Sequence, residues 1–358
     1  MPAATTSCSV FGTLPDGRTV HRWSLIDPIG TRAEILTLGA ALHAFHVPDR
    51  HGEPADVVLS PGSLADRLAG ARYFGATVGR YANRIARGRL PTPAGHRQLS
   101  TNERGNTLHG GTEGFDARVW QARPVGTAER AGVELTLTSP ADDQGFPGAL
   151  QVAVRYTVHE GALSIDYRAT CDVRTPVSLT NHTYWNLAGG THDTVHEHEL
   201  YLAADHYLPV DAELIPLPGP PRPVAGTPFD LTAPRRLAGV LDDVDDGQLR
   251  TAGGGYDHNW ALRPRGGEPE PAAVLRHPGT GRVLECLTTE PGIQVYTANG
   301  FDGAVTGAGG RPLPRYAGVA LETQHFPDSP RRPDYPTTWL EPGRVHRSTT
   351  IYRPGVMT

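Results

Sequence analysis

Apolar and polar residues alternate with a period of two along most of this chain. The runs A-E-I-L-T-L-G-A, G-V-E-L-T-L-T-S, L-Q-V-A-V-R-Y-T-V and L-S-I-D-Y-R-A-T each place every second side chain on one face. That is the pattern of a strand with one buried side, and Gly, Pro or Asp punctuates each run. The clearest helix is short. Ser63 is placed to cap the turn that begins at Leu64 and carries Leu68, and Gly70 is placed to stop it. Strand patterns extend from residue 10 to residue 353 with almost no helix between them. This predicts an all-β protein of antiparallel sheets packed on one another, with very few short helices. The Pro- and Gly-rich segments 214–228, 263–271 and 303–314 read as long surface loops inside one domain spanning 1–358, not as linkers.

Composition narrows the function. The 358 residues are 38% hydrophobic and 20% charged, which suits a globular chain with a sizeable core. A net charge of −5 argues against a nucleic-acid partner. No stretch approaches the ~18 consecutive apolar residues of a membrane span. The start, M-P-A-A-T-T-S-C, has no basic segment followed by an apolar one, so neither a signal peptide nor a membrane partner is expected. Cys8, Cys171 and Cys286 are far apart and odd in number, as expected of reduced thiols in a cytoplasmic protein. All 33 basic residues are arginine, so a Schiff-base lysine, a pyridoxal phosphate anchor and a phosphate-loop lysine are excluded. No Gly-x-Gly-x-x-Gly follows a strand and opens a helix, so a dinucleotide cofactor is unsupported.

The chemistry lies where alternation turns polar. In V-S-L-T-N-H-T-Y-W-N, Val177, Leu179, Asn181, Thr183 and Trp185 share one face, while Ser178, Thr180, His182, Tyr184 and Asn186 share the other. Taken alone, the second set is an ordinary solvated face. A second strand, Y-A-G-V-A-L-E-T-Q-H-F, sets Glu322 beside Ala320 and Gln324, opposite Val319, Leu321 and Thr323. Burial raises the pKa of such a carboxylate and suits it to proton transfer near neutrality. P-G-I-Q-V-Y-T-A-N-G puts Gln294 and Tyr296 on one face, and G-Y-D-H-N-W sets Asp257 and Asn259 against Tyr256, His258 and Trp260. Amides and carboxylates beside aromatic rings are what a sugar needs, for its hydroxyls and for its apolar C–H face. Two loop motifs complete the set. G-A-T-V-G-R-Y-A-N-R-I-A-R-G-R carries Asn83 and Arg84 among four arginines, a run that by itself reads as solvated surface. N-T-L-H-G-G places His109 in a glycine turn. His192, His196 and His198 lack the apolar helix that would fix a metal-ligand pair, so no metal is expected there.

Six blocks together resemble the aldose 1-epimerase (galactose mutarotase) family. They are G-A-T-V-G-R-Y-A-N-R-I-A-R-G, N-T-L-H-G-G, N-H-T-Y-W-N-L-A-G, Y-D-H-N-W, E-P-G-I-Q-V-Y-T-A-N and L-E-T-Q-H-F-P-D-S-P, in the family's order. The resemblance implies a β-supersandwich with an open cleft and a cofactor-independent isomerase acting on a monosaccharide, as a monomer or weak homodimer. It implies Glu322 as the base at the anomeric hydroxyl, His182 as the acid at the ring oxygen, and His109 assisting there. Asn83, Arg84, Asp257, Gln294 and Tyr184 would hold the sugar. Trp185 stands where the family usually has Phe, and R-R-P-D-Y-P after Pro330 also departs from its pattern; both are expected to bear on which sugar fits. A hexose-6-phosphate 1-epimerase and a non-catalytic sugar sensor are the alternatives on the same fold.

Overall fold

The computed structural model describes residues 2–70, 72–93, 95–189, 194–242, 245–264 and 266–357. The alternating runs become strands as expected. Leu150–His159 and Ala162–Cys171 pair in register through the turn Glu160-Gly161. Val152, Val154, Tyr156 and Val158 are buried on one face while Gln151 and Arg155 stay exposed on the other. This hairpin lies inside a nine-stranded sheet, beside a seven-stranded and a five-stranded sheet, and every pairing between these strands is antiparallel. The helix at Leu64–Leu68 is capped by Ser63, whose Oγ accepts from the Asp66 N–H at 3.1 Å. Two further short helices, Ala238–Leu241 and Gly247–Thr251, carry no strong periodic signal in the sequence.

The seven-stranded sheet positions the site. Four of its strands matter here: β1 (Tyr184–Trp185), β2 (Asp257–Ala261), β3 (Gly292–Tyr296) and β4 (Val319–Gln324). They lie side by side in the order β2-β3-β4-β1. The segment 303–314 connects β3 to β4, which pair directly with one another. One face of the sheet supplies Trp260, Ile293, Val295, Val319, Leu321 and Trp185 to the main apolar core, together with Ile165, Leu284 and Tyr352 of the nine-stranded sheet. Trp185 packs on Tyr352 with ring centroids 4.7 Å apart, and the Tyr352 hydroxyl donates to the Leu321 carbonyl.

The run V-S-L-T-N-H-T-Y-W-N differs from the single strand expected. It is two short strands: Thr180–Asn181 pairs with Thr77–Val78, and β1 pairs with both β4 and Val58–Leu59. The chain passes from one sheet to another at His182 and Thr183, and both of its faces are buried. Polarity here marks a crossing between sheets over a cavity, not a solvated edge.

Candidate active site

A cavity of about 410 Å³ opens on the side of the seven-stranded sheet turned away from the main core. Register brings distant residues to it. Gln294 lies opposite Glu322 and Asn259, while Tyr296 lies opposite Asp257 and Ala320, the residue that faces Tyr184. Directly opposed residues share a face, so once Ile293, Val295 and Leu321 are in the core, Asp257, Gln294, Tyr296, Glu322 and Tyr184 must face away from it. The loops add Asn83, Arg84 and His109, and the crossing adds His182.

Backbone bonds hold the two histidines. The His182 N–H donates to the Ala76 carbonyl, and its own carbonyl accepts from the Gly75 N–H, both at 2.9 Å. Gly75 has φ +67, and a Cβ there would lie 1.9 Å from the Leu42 carbonyl oxygen, so only glycine lets this ladder close. His109 follows Thr107–Leu108 and has φ +51. Its N–H donates to the Asn83 carbonyl, and the Asn83 N–H donates back to His109 Nδ1, both at 3.1 Å. Nδ1 is thus an acceptor, and the neutral ring carries its proton on Nε2.

Glu322, His182 and His109 are 2%, 4% and 6% exposed, which makes all three hard to charge. His182 Nε2 stands 3.5 Å from Glu322 Oε1. Burial pushes the Glu322 carboxyl well above its usual range, and the charge of Asp257 adds to this while Arg84 opposes it. Burial pushes His182 down to about 4 and His109 well below its ordinary value. Burial thus disfavours charge on both members of the His182–Glu322 pair and favours the carboxyl over the imidazole as the holder of a shared proton. Ligand atoms of His109, His182 and Glu322 lie within 4.8 Å of one another, a spacing that could suit a metal ion. A metal-bound histidine donates its second ring N–H to an acceptor. His109 Nδ1 accepts instead, so its Nε2–H is a hydrogen-bond donor and not a ligand.

A charged network forms another part of the wall. Arg84 grips Glu103 with two bonds of 3.2 Å and stands 3.5 Å from Asp257 Oδ2. Asp257 Oδ1 accepts from Gln294 Nε2 at 2.6 Å. Gln294 does not line the cavity; it stands behind Asp257 and orients it. The four-arginine run is not the solvated surface its charge suggests: Arg80 and Arg84 are buried and only Arg87 and Arg89 are exposed. Arg80 ties together the carbonyls of Ser139, Pro140, Pro147 and Gly148. Asn186 turns from the cavity to donate to the Ala317 carbonyl. Trp185 sits in the core, and residues 331–336 do not line the cavity, so neither departure from the family pattern reaches a sugar there. His192 lies outside the described residues, and His198 Nε2 is occupied by the Leu187 N–H.

Among the wall residues given no role from the sequence are Tyr73, Glu103, Tyr296 and Asn299. Tyr296 was visible beside Gln294 in the alternation. Glu103 and Asn299 are loop residues with no periodic signal, and only the network and the Asn299 bonds to the Ala252 and Tyr256 carbonyls reveal their places.

A family model described as aldose 1-epimerase matches residues 21–353. Galactose mutarotase from Sus scrofa is 41% identical over 345 residues, covering 96% of this chain and 97% of its own length. Aldose 1-epimerase from Escherichia coli is 37% identical over 346 residues, covering 95% of this chain and 96% of its own. The crystal structure of galactose 1-epimerase from Lactobacillus acidophilus superposes with a TM-score of 0.86 at 28% identity, over 99% of this chain and 100% of that one.

Proposed function

The chain belongs to the aldose 1-epimerase family and is an isomerase acting on carbohydrates; we propose that it interconverts the α and β anomers of free hexoses such as galactose and glucose through Glu322 and His182. The observation that carries this assignment of roles is the contact of a buried carboxylate with a buried imidazole, 3.5 Å apart on the wall of a sugar-sized cavity. The anomeric oxygen and the ring oxygen hang from one carbon, so the groups that serve them must stand close together.

Ring opening starts from ionised Glu322 and protonated His182. Glu322 takes the proton of the anomeric hydroxyl, His182 gives one to the ring oxygen, and the C1–O5 bond breaks. The aldehyde turns about C1–C2, and closure reverses the two transfers on the other face. Atoms and charges balance over the turn, and no cofactor takes part. Opening leaves Glu322 protonated and His182 neutral, the state that burial favours for both groups. Burial thus disfavours the charged pair from which opening starts and favours the neutral pair that accompanies the open chain, so proton transfer within the productive pair runs downhill. The His109 Nε2–H assists at the ring oxygen. Asn83, Arg84, Asp257 and Tyr184 hold the ring and its hydroxyls, with Gln294 fixing Asp257.

The whole chain acts as one domain, working in the cytoplasm as a monomer or weak homodimer. Cys8, Cys171 and Cys286 form no disulfide, in keeping with that compartment. No described helix is long and apolar enough to cross a membrane, and the net charge of −5 supports the absence of a nucleic-acid partner.

Polarimetry on freshly dissolved α-galactose and α-glucose tests the reading. The wild type should equilibrate at least one of them far faster than buffer; equality with buffer on both sinks it, and activity confined to the 6-phosphate transfers the case to a hexose-6-phosphate 1-epimerase. Asp257→Asn should raise KM about tenfold, because a hydroxyl loses a charged acceptor. Burial and the Asp257 charge both hold the Glu322 proton on. Removing that charge should move the alkaline limb of kcat/KM to lower pH, and an unmoved limb would contradict the coupling.

A further inference from the structure

Tyr73 lies on the loop after the helix Leu64–Leu68, next to Phe74, and the two rings have different surroundings. Phe74 joins an apolar cluster with Leu59, Tyr184 and Leu313. Tyr73 is half-buried and belongs to none of the apolar clusters among the described residues. Its ring lies nearly parallel to the His182 imidazole, with centroids 5.8 Å apart and planes 23° apart, and 4.7 Å from the His109 ring. Its φ of +70 is costly for a bulky residue. The same ladder that fixes His182 also fixes Tyr73: the Ala76 N–H donates to the Tyr73 carbonyl, and the Ala76 carbonyl accepts from the His182 N–H. The Tyr73 ring thus packs with the two histidines of the cavity and not within an apolar cluster, on a strained backbone.

We propose that Tyr73 is a positioning residue for His182, its ring face stabilising the imidazolium that donates to the sugar ring oxygen. The proposal rests on the acid role of His182 proposed above. An aromatic face attracts a cation through its quadrupole, and the attraction grows where water is excluded. The other groups facing His182 are Glu322 from β4, His109 from its glycine turn at 5.2 Å, and Tyr184 from β1 at 4.9 Å. Arg84 and Asp257 stand around Glu322. The Arg72 guanidinium lies 4.8 Å over the Tyr73 ring and is bound in turn by Asp116.

The sign of the pH effect follows from the pair. The pair titrates as a unit, and burial, which holds the imidazole low and the carboxyl high, makes the imidazolium the main contributor to its acidic limb. Withdrawing the ring makes the imidazolium less stable, so the acidic limb of kcat/KM should move to lower pH while the alkaline limb stays in place. Tyr73→Leu should lose about tenfold in kcat with a smaller change in KM, and Tyr73→Phe should stay within about twofold of wild type.

The experiment is the pH profile of galactose equilibration for wild type, Y73F and Y73L, with thermal melts as a check on folding. An unmoved acidic limb in Y73L, or Y73F as impaired as Y73L, overturns the proposal. If Y73L does not fold, phenylalanines of increasing fluorination at position 73 keep the shape while draining negative charge from the ring face. The rate and the acidic limb should then fall stepwise, and a flat series overturns the proposal. An inert wild type would instead indict the epimerase reading, so the two failures are separable.

Discussion

Glu322→Gln should lower kcat for anomer equilibration about 10³- to 10⁴-fold, while galactose still binds within a few-fold of the wild-type Kd. Glutamine keeps the shape and the hydrogen bonding of the carboxyl but cannot take the anomeric proton. The same group must return that proton on closure, so its loss removes both halves of the turnover. Folding should not suffer. Burial already pushes this carboxyl toward its neutral form, and an uncharged amide at a 2% exposed position removes the cost of charging it. Calorimetric binding beside polarimetry decides the matter. Binding lost together with rate would make Glu322 a sugar ligand and not the base, and an unchanged rate would remove it from the chemistry.

The second large effect concerns stability. His325 stands directly after β4, the strand of Glu322, and its Nδ1 lies 2.7 Å from Oε2 of Glu290, just beyond the strand Arg282–Thr288 of the nine-stranded sheet. The pair bolts the catalytic strand to the sheet behind it, next to the 2.6 Å bond between the Thr323 and Thr350 hydroxyls. Burial opposes charge on both groups, yet each overrides it for the other: Glu290 is held below 4.5 and His325 above 6.5. A lowered carboxyl stabilises the fold above its unfolded pKa and loses that contribution as pH falls through the folded value. A raised imidazole stabilises below its unfolded pKa and loses that contribution as pH rises through the folded value. Both are fully present only between 4.5 and 6.5. His325→Leu should therefore cost about 3 kcal/mol near pH 5.5, because it strands a carboxylate at a buried site, and less toward either extreme. The double variant H325L/E290L should recover most of the loss. Denaturant unfolding across pH checks this, and a deficit independent of pH would reduce the pair to packing.

How much of this was legible in the chain differs from one residue to the next. Glu322 and Gln294 were placed on the right faces because alternation settles which side of a strand a residue occupies, whatever its partners. The shared face of His182 and Tyr184 was legible for the same reason, although the strand carrying them is in fact two. The burial of Arg80 and Arg84 was not legible, since a run of arginines looks alike on a surface and in a web of carbonyls. Gln294 shows the opposite limit. Its face was read correctly, but its amide is engaged by Asp257 and does not line the cavity.

Local physics therefore determined the strands, their core faces, the short capped helix and, through six ordered blocks, the family. These depend on neighbours within a few residues, or on the identity of the motifs themselves. The tertiary structure alone decided that Glu322 and His182 lie 3.5 Å apart, that their burial biases where one proton rests, and that Tyr73 lies over the imidazole. Those facts depend on which strands pair, in what register, and on how far water is excluded. Such quantities belong to the packed sheets as a whole and to no single segment of the chain.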